Sequence, residues 1–197
     1  MTTTTTRPGR PRSHAADEAI LTAALDLVRE QGYGALTMAA VIERAGVSSA
    51  TLYRRWATKH DLVVAALEQV RPETLGRDTG SLAGDIAQFI QHTRTAVEGG
   101  WVELAEAIGV AAKRDPELSA ALRERFLAPR IARLESILRR AVQRGELSAV
   151  PPAEQALSLI VGPLHHHAIV LGNPLTDAFL DTACRQAVAG LAAAPTS

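Results

Sequence analysis

The chain has a single cysteine, Cys184, with no partner for an internal disulfide, so its fold cannot depend on an oxidising compartment and a cytoplasmic setting is expected. Aromatic residues are only 4% of the sequence, and the apolar residues, chiefly Ala and Leu, recur at steps of three and four instead of alternating. Both features argue against strands and for an all-α fold. No run of about 18 apolar residues is present, and the Thr-rich, then basic, stretch from Met1 to Arg12 has no apolar core. Neither a membrane span nor a secretion signal is therefore expected. Net charge is absent too: 21 basic residues balance 21 acidic ones, which argues against a protein built only to coat nucleic acid. The sequence also lacks a Gly-rich phosphate loop, a nucleophile elbow, a Cys-His cluster and any carboxylate pair of distinctive spacing. No enzyme activity, cofactor or metal is expected from it.

The charge that is present is unevenly placed. Residues 1 to 60 carry eight Lys/Arg against five Asp/Glu, so a basic N-terminal third precedes a mildly acidic remainder. Apolar periodicity predicts a first helix over 14–31 with Ile20, Ala24, Leu27 and Val28 on one face, then short helices over 38–45, 50–56 and 60–70. Pro72, Gly76 and Gly80 mark a break over 71–81. Five longer helices follow over 82–97, 101–114, 116–144, 153–171 and 176–193, with Pro129 as the weak point of the third. The expected organisation is a disordered basic arm over 1–13, a helix-turn-helix domain over 14–59, and a connecting helix and linker over 60–80. A ligand-binding and dimerisation domain over 81–193 and a tail over 194–197 complete it, about nine helices in all.

The segment from Leu36 to Lys59 reads as two short helices joined by a tight turn. Thr37 can cap the first and offer its hydroxyl to a phosphate, and Val41, Ile42 and Ala45 form its inner face. Gly46 accepts the left-handed backbone that ends it, and Val47 plugs the gap. Ser48 or Ser49 caps the second helix, where Leu52 and Trp56, four apart, point inward. Its other faces carry Thr51, Tyr53, Arg54 and Arg55, small hydroxyls and cations suited to a major groove. Thr37, Gly46-Val47-Ser48 and Thr51-Leu52-Tyr53, followed by Trp56 and Lys59, resemble the DNA-binding signature of the tetracycline-repressor (TetR) family of transcriptional regulators. The resemblance implies Thr37, Ser48, Ser49, Thr51, Tyr53, Arg54, Arg55 and Lys59 as contacts to a double-stranded operator. Ala39 departs from it, because the family often places a polar or basic residue there.

The arm carries Arg7, Arg10 and Arg12 between helix breakers, so Arg10 and Arg12 either enter a narrow minor groove or belong to a solvated tail. Two recognition helices must meet half-sites about one helical turn apart, which calls for a homodimer. The apolar faces of the last two helices, with Leu157, Ile160, Leu164, Phe179 and Val188, serve either that interface or the chain's own core. The resemblance further implies repression relieved by a small-molecule effector, held in a pocket to which Phe89, His92, Trp101, Leu104, Ile108, Phe126 and His166 are candidate contributors. The run His165-His166-His167 cannot converge on one metal ion, since successive helical residues point about 100° apart. It leaves open a second reading, a helical ligand carrier or hydrolase using that run.

Overall fold

Helix α1, Arg12–Gln31, buries Ile20, Ala24, Leu27 and Val28 along one face, each at most 3% exposed. The computed structural model describes residues 12–69 and 77–193, and the helices that follow α1 there are joined by turns without a strand. They are α2 (Met38–Ala45), α3 (Ser49–Tyr53), α4 (Lys59–Glu68), α5 (Leu82–Glu98) and α6 (Trp101–Ala112). Then come α7 over 116–143, α8 over 153–170 and α9 (Asp177–Ala192). The arm with Arg7 and Arg10, the segment 70–76 and the tail 194–197 lie outside the described residues, and Arg12, expected in the arm, opens α1.

Side-chain caps fix most of the described helix starts. Thr58, Ser81, Asp115 and Thr176 each accept a hydrogen bond from the backbone amide three residues on, satisfying a donor that the helix itself leaves bare. Pro116 sits in the first turn of α7, where a missing amide costs nothing. Pro129 does not break α7. Its ring crowds the carbonyl of Arg125, four residues back, and the helix accommodates it by widening over Leu122–Leu127 into π-helical turns.

The side chains divide between two cores. One joins α1 to α4 with α6 and the start of α7, through Val41, Leu52, Leu62, Leu104, Ile108 and Leu118. The other joins α5, the rest of α7, α8 and α9, through Ile86, Phe89, Ile137, Ile160, Leu164 and Leu180. Each such fully buried side chain contributes roughly 1.5 to 3 kcal/mol of transfer free energy. The sequence break at 71–81 does not separate these cores, because α6 and the first turns of α7 pack on the N-terminal helices.

A buried carboxylate pins the second core. The Asp85 side chain is fully shielded, accepts from the Thr79 amide and hydroxyl at 2.8 Å each, and faces Arg144 at 3.3 Å and Arg140 at 3.5 Å. Burial pushes its carboxyl up, but these donors outweigh burial and hold it below the ordinary carboxylate range. The start of α5 is thus tied to the end of α7.

Candidate nucleic-acid interface and neighbouring cavity

Thr37 accepts from the Ala40 amide at 3.2 Å and starts α2, and Gly46, at φ 64°, takes the left-handed conformation that stops it. Val41, fully buried, fixes α2 on the core. Ser48, not Ser49, caps α3: its hydroxyl accepts from the Thr51 amide at 3.3 Å and pairs with the Thr51 hydroxyl at 2.9 Å. Leu52 is fully buried and Trp56 nearly so, which anchors the inner side of α3 as the four-residue spacing requires.

The outer side carries the exposed residues Ser49, Ala50, Tyr53 and Arg54. Tyr53 is 52% exposed, a large aromatic left in water on a helix only five residues long. Regular helix ends at Tyr53, earlier than the periodicity predicts. The amides of Arg55 and Trp56 both reach the Leu52 carbonyl, at 3.1 Å each, so Arg54 and Arg55 stand in a tight closing turn.

The two arginines then part company. Both are exposed residues, but the Arg55 guanidinium forms an ion pair with the Asp17 carboxylate of α1, the two side chains of that pair being less than a third exposed. Lys59 sits with its ammonium 4.7 Å from the centroid of the buried Tyr33 ring. A second tie, absent from the sequence reading, runs from Arg44 of α2 to Glu30 of α1 as a bidentate pair at 2.6 and 2.8 Å, and that guanidinium holds the Glu30 carboxyl low. Two ion pairs therefore set the helix-turn-helix against α1.

Between the two cores lies a cavity of about 370 Å³. Phe89, His92, Trp101 and Phe126, all singled out in the sequence, line it. Leu104 and Ile108 do not; they are buried in the first core, about 100° round α6 from Ala105 and Gly109. His166 is exposed and away from it. The lining also includes Thr93, Arg130 and Arg133, which sequence periodicity gave no reason to choose, and Leu67 of α4. The three adjacent histidines meet three environments: His165 pairs with Glu106 of α6, His166 faces solvent, and His167 stacks on Phe179 at 3.8 Å between ring centroids.

The face expected to dimerise is partly spent within the chain. Ile160 and Leu164 are buried in the second core, Leu157 lines the cavity, and Phe179 and Val188 are half-buried. Of the two uses open to Ile160 and Leu164, the chain's own core takes them, leaving no exposed side-chain surface within one chain.

Several contacts among the described residues connect the cavity region with the DNA-facing helices, Arg125 of α7 with Glu68 of α4 at 2.9 Å among them. Leu67 belongs to α4 and touches the cavity. Arg29 of α1 lies over the Trp101 ring at 4.4 Å. His60 at the start of α4 bonds Asp115, the cap of α7, at 2.8 Å. The Leu118 amide and then His60 hold the Asp115 carboxyl below its ordinary range.

Comparison with known proteins agrees with this geometry. The model of bacterial regulatory proteins of the tetR family matches residues 20–66, and that of the tetracyclin repressor-like C-terminal domain matches residues 77–187. An uncharacterized HTH-type transcriptional regulator of Bacillus subtilis, YdeS, is 33% identical over 189 residues, 94% of each chain. The DNA-binding transcriptional repressor TetR of Mycobacteroides abscessus is 31% identical, covering 86% of this chain and 90% of its own. Among solved structures, the flavonoid-responsive regulator FrrA superposes with TM-score 0.70 at 26% identity, over 90% of this chain and 95% of its own. Salmonella enterica GusR gives 0.73 at 20% identity, over 95% and 100%. The chain belongs to the TetR family of DNA-binding bacterial transcriptional regulators.

Proposed function

We propose that the protein is a cytoplasmic repressor that binds a palindromic operator as a homodimer and leaves it when a small molecule fills the cavity between the two cores. The observation that carries this reading is the contact of Leu67, a buried residue of α4, with the cavity. A ligand there touches the helix that follows the helix-turn-helix. Occupancy therefore favours one setting of α4 over another, and DNA affinity changes by the ligand's difference in affinity between the two.

On the DNA side, Tyr53 and Arg54 are the residues free to reach base edges, with Ser49 beside them. Thr37, Ser48, Thr51 and Lys59 suit phosphate contact, because their hydroxyls and ammonium lie at helix starts. Arg55 is assigned a positioning role through Asp17. Arg10 and Arg12 extend the contact along the groove. For the dimer, the outer surfaces of α8 and α9 remain available after the core has taken Ile160 and Leu164. They present Leu159, 40% exposed, and the half-buried Phe179 and Val188.

The deciding experiment is transcription in vitro from a promoter overlapping a site selected from random DNA. The proposal predicts that added protein lowers transcript yield. A rise in yield would make the protein an activator.

A further inference from the structure

We infer that the cavity selects an organic anion with an apolar, flat or extended body, an inference that rests on its being the effector site. Two cations on one face of α7, Arg130 and Arg133, line the cavity. The Arg130 guanidinium lies 5.9 Å from the Phe89 ring centroid and 5.7 Å from that of Phe126, so it rests between two aromatic walls. A guanidinium held on ring faces keeps its planar fork oriented, and that fork matches a carboxylate bidentately. Both arginines keep other interactions within the chain, so an anion joins an existing arrangement and does not meet bare charge.

The rest of the lining sorts the same way. Its one carboxylate, Glu106, is engaged by His165 of α8. Burial first, and then Arg130 and Arg133, lower the pKa of His92, which is how a locally positive field acts on a neighbouring base. Thr93, 5% exposed, spends its hydroxyl proton on the Phe89 carbonyl at 3.1 Å and adds no charge to the wall. Trp101, Leu157 and Val161 supply apolar surface. An anionic head at the α7 arginines and an apolar body among the aromatic rings satisfy both halves at once, whereas a cation meets like charge at the arginines and a sugar lacks the apolar body.

The test is calorimetric titration of the full-length protein with matched pairs, naphthoate against naphthamide and dodecanoate against dodecanol. Each anion is expected to bind at least roughly tenfold more tightly than its neutral counterpart. In the R130Q/R133Q double variant that ratio falls towards one, while the neutral probes bind as before and report an intact cavity. R130K, which keeps the charge and loses the fork, retains only part of the preference. Equal or tighter binding of the neutral probes, a ratio that survives the double substitution, or no binding of any of the four at millimolar concentration would overturn the inference. A parallel titration of the operator complex separates the two readings. Anions that bind selectively yet leave DNA bound remove the effector role and keep the ligand class. Neutral probes that bind more tightly and release DNA do the reverse.

Discussion

The Asp17 carboxylate of α1 holds the Arg55 guanidinium, the last residue before Trp56 closes the recognition segment. Adjacent Arg54 points to solvent, so two neighbouring cations of equal charge have different work. Arg54→Ala is expected to lower operator affinity by about 1 to 3 kcal/mol with melting unchanged. Asp17→Ala and Arg55→Ala are expected to lower affinity by similar amounts to each other, and the double variant by no more than either. Operator titrations of the four proteins check this. Tighter binding by Asp17→Ala would mean that Arg55 contacts DNA and that Asp17 restrains it.

Gly109 lines the cavity, and a Cβ placed there meets nothing within 4 Å. Gly109→Leu therefore puts a side chain into the cavity from a position with room for its Cβ, and raises helix propensity by up to about 0.8 kcal/mol. The expected protein binds operator normally, melts at the same or higher temperature, and no longer responds to any effector. Competition of effector against the operator complex measures it.

The His60 to Asp115 bond joins the start of α4 to the cap of α7, across 55 residues of sequence. His60→Leu removes it and leaves Asp115 capping Leu118. Operator affinity and effector affinity are each expected to stay near wild type. The coupling between them is expected to fall by roughly 0.5 to 2 kcal/mol. Measuring effector affinity with and without DNA yields that coupling directly.

Local rules made much of this molecule legible. Thr37, Ser48, Asp115 and Thr176 cap because a hydroxyl or carboxylate stands before an apolar-periodic run, and Leu52 and Trp56 face inward because they are four apart. Contacts between distant helices left no such mark. Asp17 with Arg55, Arg44 with Glu30 and the placing of Arg130 beside Phe89 depend on how helices cross, which periodicity does not encode. Leu104 and Ile108 illustrate the limit: the sequence reading fixes that α6 has an apolar side but not which neighbour it meets. The first core took that side, and the cavity took Ala105 and Gly109.

Asp85 gives a pH dependence with a definite sign. Its folded carboxyl is held below the ordinary value of 3.8, so its stabilisation is complete above that value and is lost as pH falls through the lower folded one. Asp85→Asn is expected to cost about 1 to 3 kcal/mol at neutral pH, because the Thr79 donors and both arginines lose a charged acceptor while the arginines keep Asp78 and Glu146. Its stability is also expected to vary less than wild type as pH falls from neutral to below 3.8. Denaturant melts across that range check both effects.

The most direct test of the central claim is anisotropy titration of a DNA site selected from random sequence, over a salt series, with wild type and Arg54→Ala. The account predicts a palindromic site occupied by two protomers, affinity that falls linearly with the logarithm of salt, and a variant weakened by about 1 to 3 kcal/mol that accepts substitutions at one base pair of each half-site. Selection that enriches no sequence, or an Arg54→Ala protein that binds the site as wild type does, would contradict it.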